Sequence, residues 1–585
     1  MLFYYFNKMK FCSRGFLKSS NSVVSVEMCL FLVLLSFIMF YMSGMEGKVI
    51  MSFFMWSVET FFVDVSFLFD YISLMFMGVV FLISGSVGIY SNWYMSDEVY
   101  HNRFSMLVVL FVISMLFFIS LSDLLILMVG WDGLGLVSFL LVCYYQTGKS
   151  FSSAMLTGLT NRVGDVFMLL SIGLISMNGG TMFYEMSFIS VTNLLILCVV
   201  ISSMTKSAQF PFCSWLPAAM SAPTPVSSLV HSSTLVTAGV YILIRSSDLI
   251  GFSSGVMLFL QIMSLFTLAL AGCAAVLETD FKKVVALSTL SQLSMMMFSV
   301  SIGYYEIAFF HLVTHALFKA LLFLGAGVVI HLNKGCQDLR ILGKCWSEVP
   351  VSMSFMVVAM SSLCGIPFLS GFYSKHMIIE ASFSLNMSLL SYMLVVIGSV
   401  FTSWYSFRLF CSVFISLNSI FVGNIWSNEP LVLIVPMSFL FLGAVYSGQI
   451  LMMKFESLKY MIFCTEGVFF VIFFIPFVGV AIFLVLCGFK GLKWNSFLMK
   501  FFASMLNSKM LVSNGLSYVF MKLCGYLDNS VDNGWLEKSG PDGFYKLFMV
   551  MSRVNQDIQS FYFLKVFFFG AFIMVFSCVL ILVLS

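Results

Sequence analysis

Three proton-binding side chains stand in file in the stretch HLVTHALFKALLFLGAGVVIH, residues 311–331. His311, His315 and Lys319 follow one another at four-residue intervals. In an α-helix each such step turns about 40° past a full circle, so the three share one face, within an arc of roughly 80° and a length of about 12 Å. The rest of the stretch is apolar enough to dissolve in lipid. Histidine titrates near neutrality and relays a proton either way. A lysine drawn out of water loses proton affinity, and a nearby carboxylate restores it. The stripe has the chemistry of a segment of a proton path.

Three more groups of this kind occur. Asp132 lies inside the apolar run LMVGWDGLGLVSFLL. Lys206 lies in another, with Pro211 shortly after it. Proline lacks an N–H and clashes with the carbonyl four residues back, so the helix is expected to break just past the lysine. Pro217, Pro223 and Pro225 prolong the irregular region, and His231 follows on the next helix. In LCGIPFLSGFYSKHMIIE, Gly365, Pro367 and Gly371 interrupt a span just before Lys375. Ionisable groups inside spans cost about 2.5–3.5 kcal/mol each on insertion scales and mark pathways or pairs.

Each group also has an ordinary explanation. Asp132 can hydrogen-bond a neighbouring helix, His231 can be a satisfied interior histidine, and Lys375 can snorkel to the surface. Arg162 and Asp165, three apart on one helix face, can neutralise each other or act as supporting charges. Lys334, Asp338, Arg340, Lys344 and Glu348 read as solvated loop charges. Asp280, Lys282 and Lys283 read as a helix start at the interface. Taken together, the three lysines, Asp132 and three histidines favour the proton path over static pairing.

Composition dictates what positions these groups. Of 585 residues, 61% are hydrophobic and 9% charged, where a soluble domain carries about 25% charged residues. The chain therefore reads as an all-α polytopic membrane protein, with about fifteen spans. Two broken helices, each bearing a lysine, lie in corresponding positions, which is the sequence sign of transporter repeats. The expected division is N-terminal transmembrane helices over 1–103, a first antiporter-like repeat over 104–245 and a second over 256–413. Five helices is an odd number, so the second repeat must be inverted relative to the first. Further transmembrane helices follow over 431–487. Residues 490–562, where charges interrupt apolar stretches, read as a lateral amphipathic helix along the membrane surface, and 566–585 as a C-terminal anchor.

Several functions are disfavoured. The net charge is +3, and no basic patch interleaved with aromatics points to nucleic acid. The 14 cysteines never form C-x-x-C, so neither a disulfide framework, a zinc site nor an iron–sulfur cluster is expected. No dinucleotide or phosphate-loop glycine motif is present. Lys8, Lys10, Arg14 and Lys18 read as the basic flank of the first span. Heavy use of phenylalanine (68) and methionine (43) fits a genome with biased codons, such as an organelle's.

The same residues carry a resemblance. GWDGLGLVSFLL, TNRVGD, TKSAQFPFCSWLPAAMSAPTPVSSLVHSSTLVTAGVYIL, ETDFKKVVALSTLSQL, FFHLVTHALFKALLFLGAGVVIH and GIPFLSGFYSKHMIIE occur in order between residues 66 and 413. They resemble the chain 5 family of mitochondrial NADH–ubiquinone oxidoreductase, the distal antiporter-like subunits of respiratory complex I. The resemblance implies electron transfer from NADH to ubiquinone in other subunits, which hold the FMN and iron–sulfur clusters. This chain would bind no cofactor and no metal, and would move protons across the mitochondrial inner membrane. Its partners would be lipids and other membrane-arm subunits, including neighbouring antiporter-like chains contacted by the lateral helix.

The family's broken-helix lysines fall on Lys206 and Lys375, with Pro211 and Pro367 at the breaks. Its linking histidines and lysine fall on His311, His315 and Lys319, its next-helix protonatable position on His231 and its paired acid on Asp132. The chain also departs from the family. Asp132 stands where glutamate is usual and is one methylene shorter, and His376 stands where aspartate is usual. MSAPTPVS lacks the common glycine before its first proline, and one clear N-terminal span stands where the family often has two. A stand-alone sodium/proton antiporter shares the repeat fold and lysine pattern and is the second reading. A scaffold with statically paired charges is the third.

Overall fold

Lipid offers no partner to backbone N–H and C=O groups, so a chain this apolar crosses a membrane as helices or a closed barrel. The computed structural model describes residues 26–44, 47–58, 61–177, 193–247, 251, 253–343, 345–384, 388–415, 429–454, 466–488, 501–507, 515 and 517–584. Helices dominate, and the chain forms two compact units, Met1–Lys509 and Met510–Ser585. Among the described residues eleven helices are long and apolar enough to cross a membrane, and further apolar helices are shorter.

The first unit opens with α1 (Val26–Met42), α2 (Tyr71–Tyr94), α3 (His101–Ser120), α4 (Leu124–Val142) and α5 (Gly148–Ser176). Next come α6 (Asn193–Lys206), α7 (Thr224–Arg245), α8 (Ser254–Leu277), α9 (Phe281–Ile302) and α10 (Tyr305–Leu332). The unit continues through α11 (Pro350–Cys364), α12 (Ser370–Ser384), α13 (Leu389–Phe410), α14 (Leu431–Lys454) and α15 (Glu466–Gly488). Helix α10 is the hub. It packs against α2, α7, α9, α11, α12 and α14, and Ile307–Ile330 is buried throughout.

Both expected breaks are present, and they shorten the elements around them. The apolar stretch over 193–220 holds only the 14-residue α6, which stops at Lys206. Short turns carry the chain from there to α7, which starts with Pro225 in its first turn. Proline is tolerated there because its missing N–H would have had no helical partner anyway. Residues Ser227–Thr234 of α7 form a π-helical segment. The span interrupted by Gly365, Pro367 and Gly371 divides into α11 and α12, with Gly365 at φ +84° ending the first.

Glu429 closes the start of α11 from outside, accepting from Val351 N at 2.7 Å and Ser352 N at 3.0 Å. A first-turn cap of this kind contributes about 1 kcal/mol. In Glu429→Ala, amide exchange at Val351 and Ser352 is therefore expected to quicken by about fivefold. Unchanged exchange would exclude the cap.

One element departs from the sequence reading. Between α1 and α2 lies an antiparallel hairpin, β1 (Val49–Val58) with β2 (Phe61–Phe69), its register running from Val49↔Phe69 to Val58↔Phe61. The segment is rich in β-branched and aromatic residues, which suit a pleated surface, and its apolar character hides this in a search for spans. Ser66 N donates to Asp123 Oδ2 at 3.3 Å, which fastens β2 to the start of α4.

In the second unit, α16 (Ser517–Leu527) leads through a π-helical stretch, Asp528–Leu536, towards α17 (Pro541–Leu584). The boundary expected between a surface segment and an anchor at 562/566 falls inside α17, whose 44 residues run unbroken, a length of about 66 Å. The early part of the expected lateral segment, 490–500, lies outside the described residues.

Candidate functional site

At each break a helix end stands beside a lysine. The last carbonyls of a helix lack intrahelical partners and carry the negative end of the macrodipole. Lys206 is the final residue of α6 and is fully buried. Its Nζ donates to the Trp131 carbonyl at 2.7 Å and lies 4.0 Å from the centroid of the Trp131 ring. Trp131 Nε1 in turn donates to Asp165 Oδ1 at 2.7 Å. Arg162 reaches Asp165 at 3.1 Å and Asp132 at 3.3 Å. The network thus runs Lys206, Trp131, Asp165, Arg162, Asp132. Gly164 allows α5 to approach this closely, since a Cβ there would lie 2.1 Å from Thr205 Oγ1.

This geometry rearranges the expected partners. Asp132 pairs with Arg162 and makes no direct ion pair with Lys206. Its side chain is 39% exposed, against 10% for Asp165. The shorter aspartate side chain points to Arg162, while Trp131 links Lys206 to Asp165. Asp165→Asn is accordingly expected to slow coupled proton transfer more than Asp132→Asn does. Measuring both variants in the assembled complex tests this; an equal or reversed order would remove Asp165 as the principal counter-charge.

On α10 the stripe is buried as expected. His311 Nδ1 lies 2.9 Å from Ser374 Oγ and its Nε2 3.2 Å from Gln292 Oε1. The His311 and His315 ring centroids are 6.2 Å apart. Both ring nitrogens of His315 lack a hydrogen-bond partner, as do both of His231. The π-helical segment bearing His231 packs against α10, and the His231 ring lies 6.3 Å from that of Trp215. Lys319 Nζ donates to Ser288 Oγ at 2.5 Å.

At the second break Lys375 is buried rather than snorkelling. Its Nζ donates to Thr402 Oγ1 at 2.5 Å and reaches the Cys364 carbonyl, at the end of α11, at 3.5 Å. His376 Nδ1 lies 3.1 Å from Glu380 Oε1. A histidine–glutamate pair therefore occupies the position next to Lys375.

Trp131, Ser288, Gln292, Ser374 and Thr402 hold the charged groups and were missed in the sequence. Their one signal was a hydroxyl, amide or indole inside an apolar run. Lys282 corrects an expectation too. It is buried and donates to the Ala222 carbonyl at 3.2 Å, because the irregular backbone past Pro211 leaves carbonyls without helical partners. Lys283 does pair with Asp280, the N-cap of α9. In the loop after α10, Arg340 hydrogen-bonds Asp338 and holds its carboxyl below the usual range. Among the described residues no group of three or more His, Cys, Asp or Glu could hold a metal.

Three family models match in sequence. "NADH-Ubiquinone oxidoreductase (complex I), chain 5 N-terminus" covers residues 55–105 and "NADH:quinone oxidoreductase/Mrp antiporter, TM" covers 122–402. "NADH dehydrogenase subunit 5 C-terminus" covers 405–584. NADH-ubiquinone oxidoreductase chain 5 of Mytilus edulis is 49% identical over 85% of this chain and 88% of its own length. The chain belongs to the NADH-ubiquinone oxidoreductase chain 5 family. The Anopheles gambiae chain 5 is 40% identical over 92% of this chain and 93% of its own length. The fold also resembles the Mrp complex from Dietzia sp. DQ12-45-1b, with a TM-score of 0.69 and 22% identity, over 84% of this chain and 57% of that one. An archaeal membrane-bound sulfane sulfur reductase aligns at TM-score 0.64 and 20% identity, over 79% of this chain and 93% of that one. Chain 5 membership makes this a multi-pass membrane subunit of an NADH-oxidising complex with an antiporter-like fold.

Proposed function

We propose that the chain carries protons across the mitochondrial inner membrane as the antiporter-like chain 5 of respiratory complex I. Lys206, Lys319 and Lys375 are its proton carriers. His231, His311 and His315 relay between them, and Asp165, Arg162 and Asp132 tune the first lysine. NADH, FMN, iron–sulfur clusters and ubiquinone belong to other subunits. The N-terminal helices over 1–103, the two inverted repeats over 104–245 and 256–413, the helices over 431–487, and the lateral segment and anchor over 490–562 and 566–585 form part of this reading. So do about fifteen spans in all and membrane-arm neighbours contacted by the lateral helix.

What carries the proposal is Lys206. It is a fully buried lysine at the end of a broken helix, held by a carbonyl and an indole, with a carboxylate one side chain away. Such a group changes its proton affinity when the carboxylate or the backbone end shifts by a few ångströms. The antiporter-like fold supports the alternative of a free-standing sodium/proton antiporter, and the chain 5 C-terminal match favours complex I. A native gel of membranes in mild detergent, probed for this chain and stained for NADH oxidation, tests the choice. Co-migration with a large NADH-oxidising band is expected; separate migration would favour the antiporter.

A further inference from the structure

Tyr405, on α13, is fully buried. Its Oη lies 3.0 Å from Ser291 Oγ on α9, and it also hydrogen-bonds the side chain of the next residue, Gln292. Gln292 places its Oε1 3.2 Å from His311 Nε2, and its amide nitrogen has no partner other than Tyr405. Thr402, one turn before Tyr405 on the same face of α13, accepts from Lys375 at 2.5 Å. The phenol thus joins the groups around His311 to the helix that seats Lys375.

Donor and acceptor roles along this series of bonds follow from its anchored end. A backbone carbonyl only accepts, and Ser291 Oγ donates its one proton to the Ser288 carbonyl at 2.9 Å. Tyr405 must then donate to Ser291, which leaves its oxygen to accept from the Gln292 amide nitrogen. That turns the Gln292 oxygen to His311, and an oxygen there requires a proton on Nε2. On the other side of the ring, His311 Nδ1 lies 2.9 Å from Ser374 Oγ. Ser374 Oγ is also 3.0 Å from Thr314 Oγ1, whose own proton goes to the Phe310 and His311 carbonyls. Ser374 can therefore donate to a neutral Nδ1, or accept from a protonated one while donating to Thr314.

We propose that Tyr405 is a positioning residue which, through Ser291 and Gln292, keeps one His311 proton on Nε2 and leaves Nδ1 as the exchanging nitrogen. The mobile proton then enters and leaves the ring on the side of Ser374, the residue before Lys375. The inference rests on the reading of the chain as a proton carrier. It adds the nitrogen of His311 that exchanges and the group that selects it.

The test uses the whole complex in liposomes. Tyr405→Phe keeps the ring and removes the link, so pumping per assembled complex should fall by about tenfold, the scale for groups that set a histidine's tautomer. Ser291→Ala should fall as far or further, because Tyr405 is then released to donate to the Gln292 oxygen and turns the amide round. Adding Tyr405→Phe removes that reversal, so the double variant should pump no worse than Ser291→Ala. Losses that multiply in the double variant would mean packing alone and overturn the inference, as would wild-type pumping in both single variants. The tautomer itself is read from infrared difference spectra of complex with isotope-labelled histidine, His311→Gln being subtracted. An Nε2–H ring band is expected in the wild type, and a mixture in Tyr405→Phe. An Nδ1–H band in the wild type overturns the proposal whether or not the chain pumps. Normal pumping by His311→Gln would instead bring down the relay reading, and the spectrum still decides the tautomer.

Discussion

Lys206→Ala is expected to assemble into the complex and yet lose NADH-driven proton pumping, by about 100-fold or more, the scale of a removed proton-transfer group. Assembly survives because the lysine's direct partners are neutral. Nζ is held by the Trp131 carbonyl and ring, and the carboxylate that loses its counter-charge, Asp165, is one side chain away. Asp165 keeps Arg162 and Trp131. Lys206→Arg sharpens the test. A guanidinium keeps the charge but does not give up its proton near neutrality, so this variant should also assemble and fail to pump. A scaffold role predicts the reverse, with arginine tolerated and alanine harming assembly. Proton uptake by reconstituted complex, normalised to assembled chain, decides between them. Normal pumping in Lys206→Ala would remove the lysine from the path.

The largest effect on stability is expected at a pair far from that lysine. Arg245, at the end of α7, grips Asp70, the N-cap of α2, through two hydrogen bonds of 2.6 and 2.8 Å. Asp70 is buried and the Arg245 side chain is 10% exposed. Arg245 Nε also donates to Tyr241 Oη at 2.9 Å, and Tyr241 donates to the Ile119 carbonyl at 2.9 Å. One cation thus ties α2, α7 and the end of α3 together. Arg245→Leu strands a buried carboxylate, which costs about 3–5 kcal/mol. Sharply lower abundance of the assembled chain on native gels is expected, with normal pumping per assembled complex. Adding Asp70→Asn removes the stranded charge and should restore much of the abundance. If the double variant is no better than Arg245→Leu, the cost lies in lost packing and not in the charge.

Much of the fold was legible because its causes are local. Membrane solvation demands long apolar helices, so α7, α8, α9 and α10 stand close to the apolar runs that announced them. Proline's missing N–H ended α6 at Lys206, and Gly365 with Pro367 parted α11 from α12, as backbone chemistry requires. The spacing of His311, His315 and Lys319 fixed their common face before any packing was known. The hairpin over 49–69 was not legible, because β-branched and aromatic residues serve a strand and a lipid-facing helix equally well. Nor was the unbroken α17, since a change from amphipathic to apolar composition does not end a helix.

Short-range chemistry alone makes this a membrane protein with proton-binding groups in its core, and fixes where its helices break. Helix periodicity and the cost of burying charge are properties of short segments, and they survive into any fold. Which groups meet was decided only in three dimensions. Asp165, and not Asp132, sits behind Trp131 from Lys206. Arg245 finds a partner on α2, and Tyr405 finds Ser291 on α9. Those meetings depend on the rotation and separation of helices distant in sequence, which are set by how their surfaces interlock and by where a glycine lets two backbones come close.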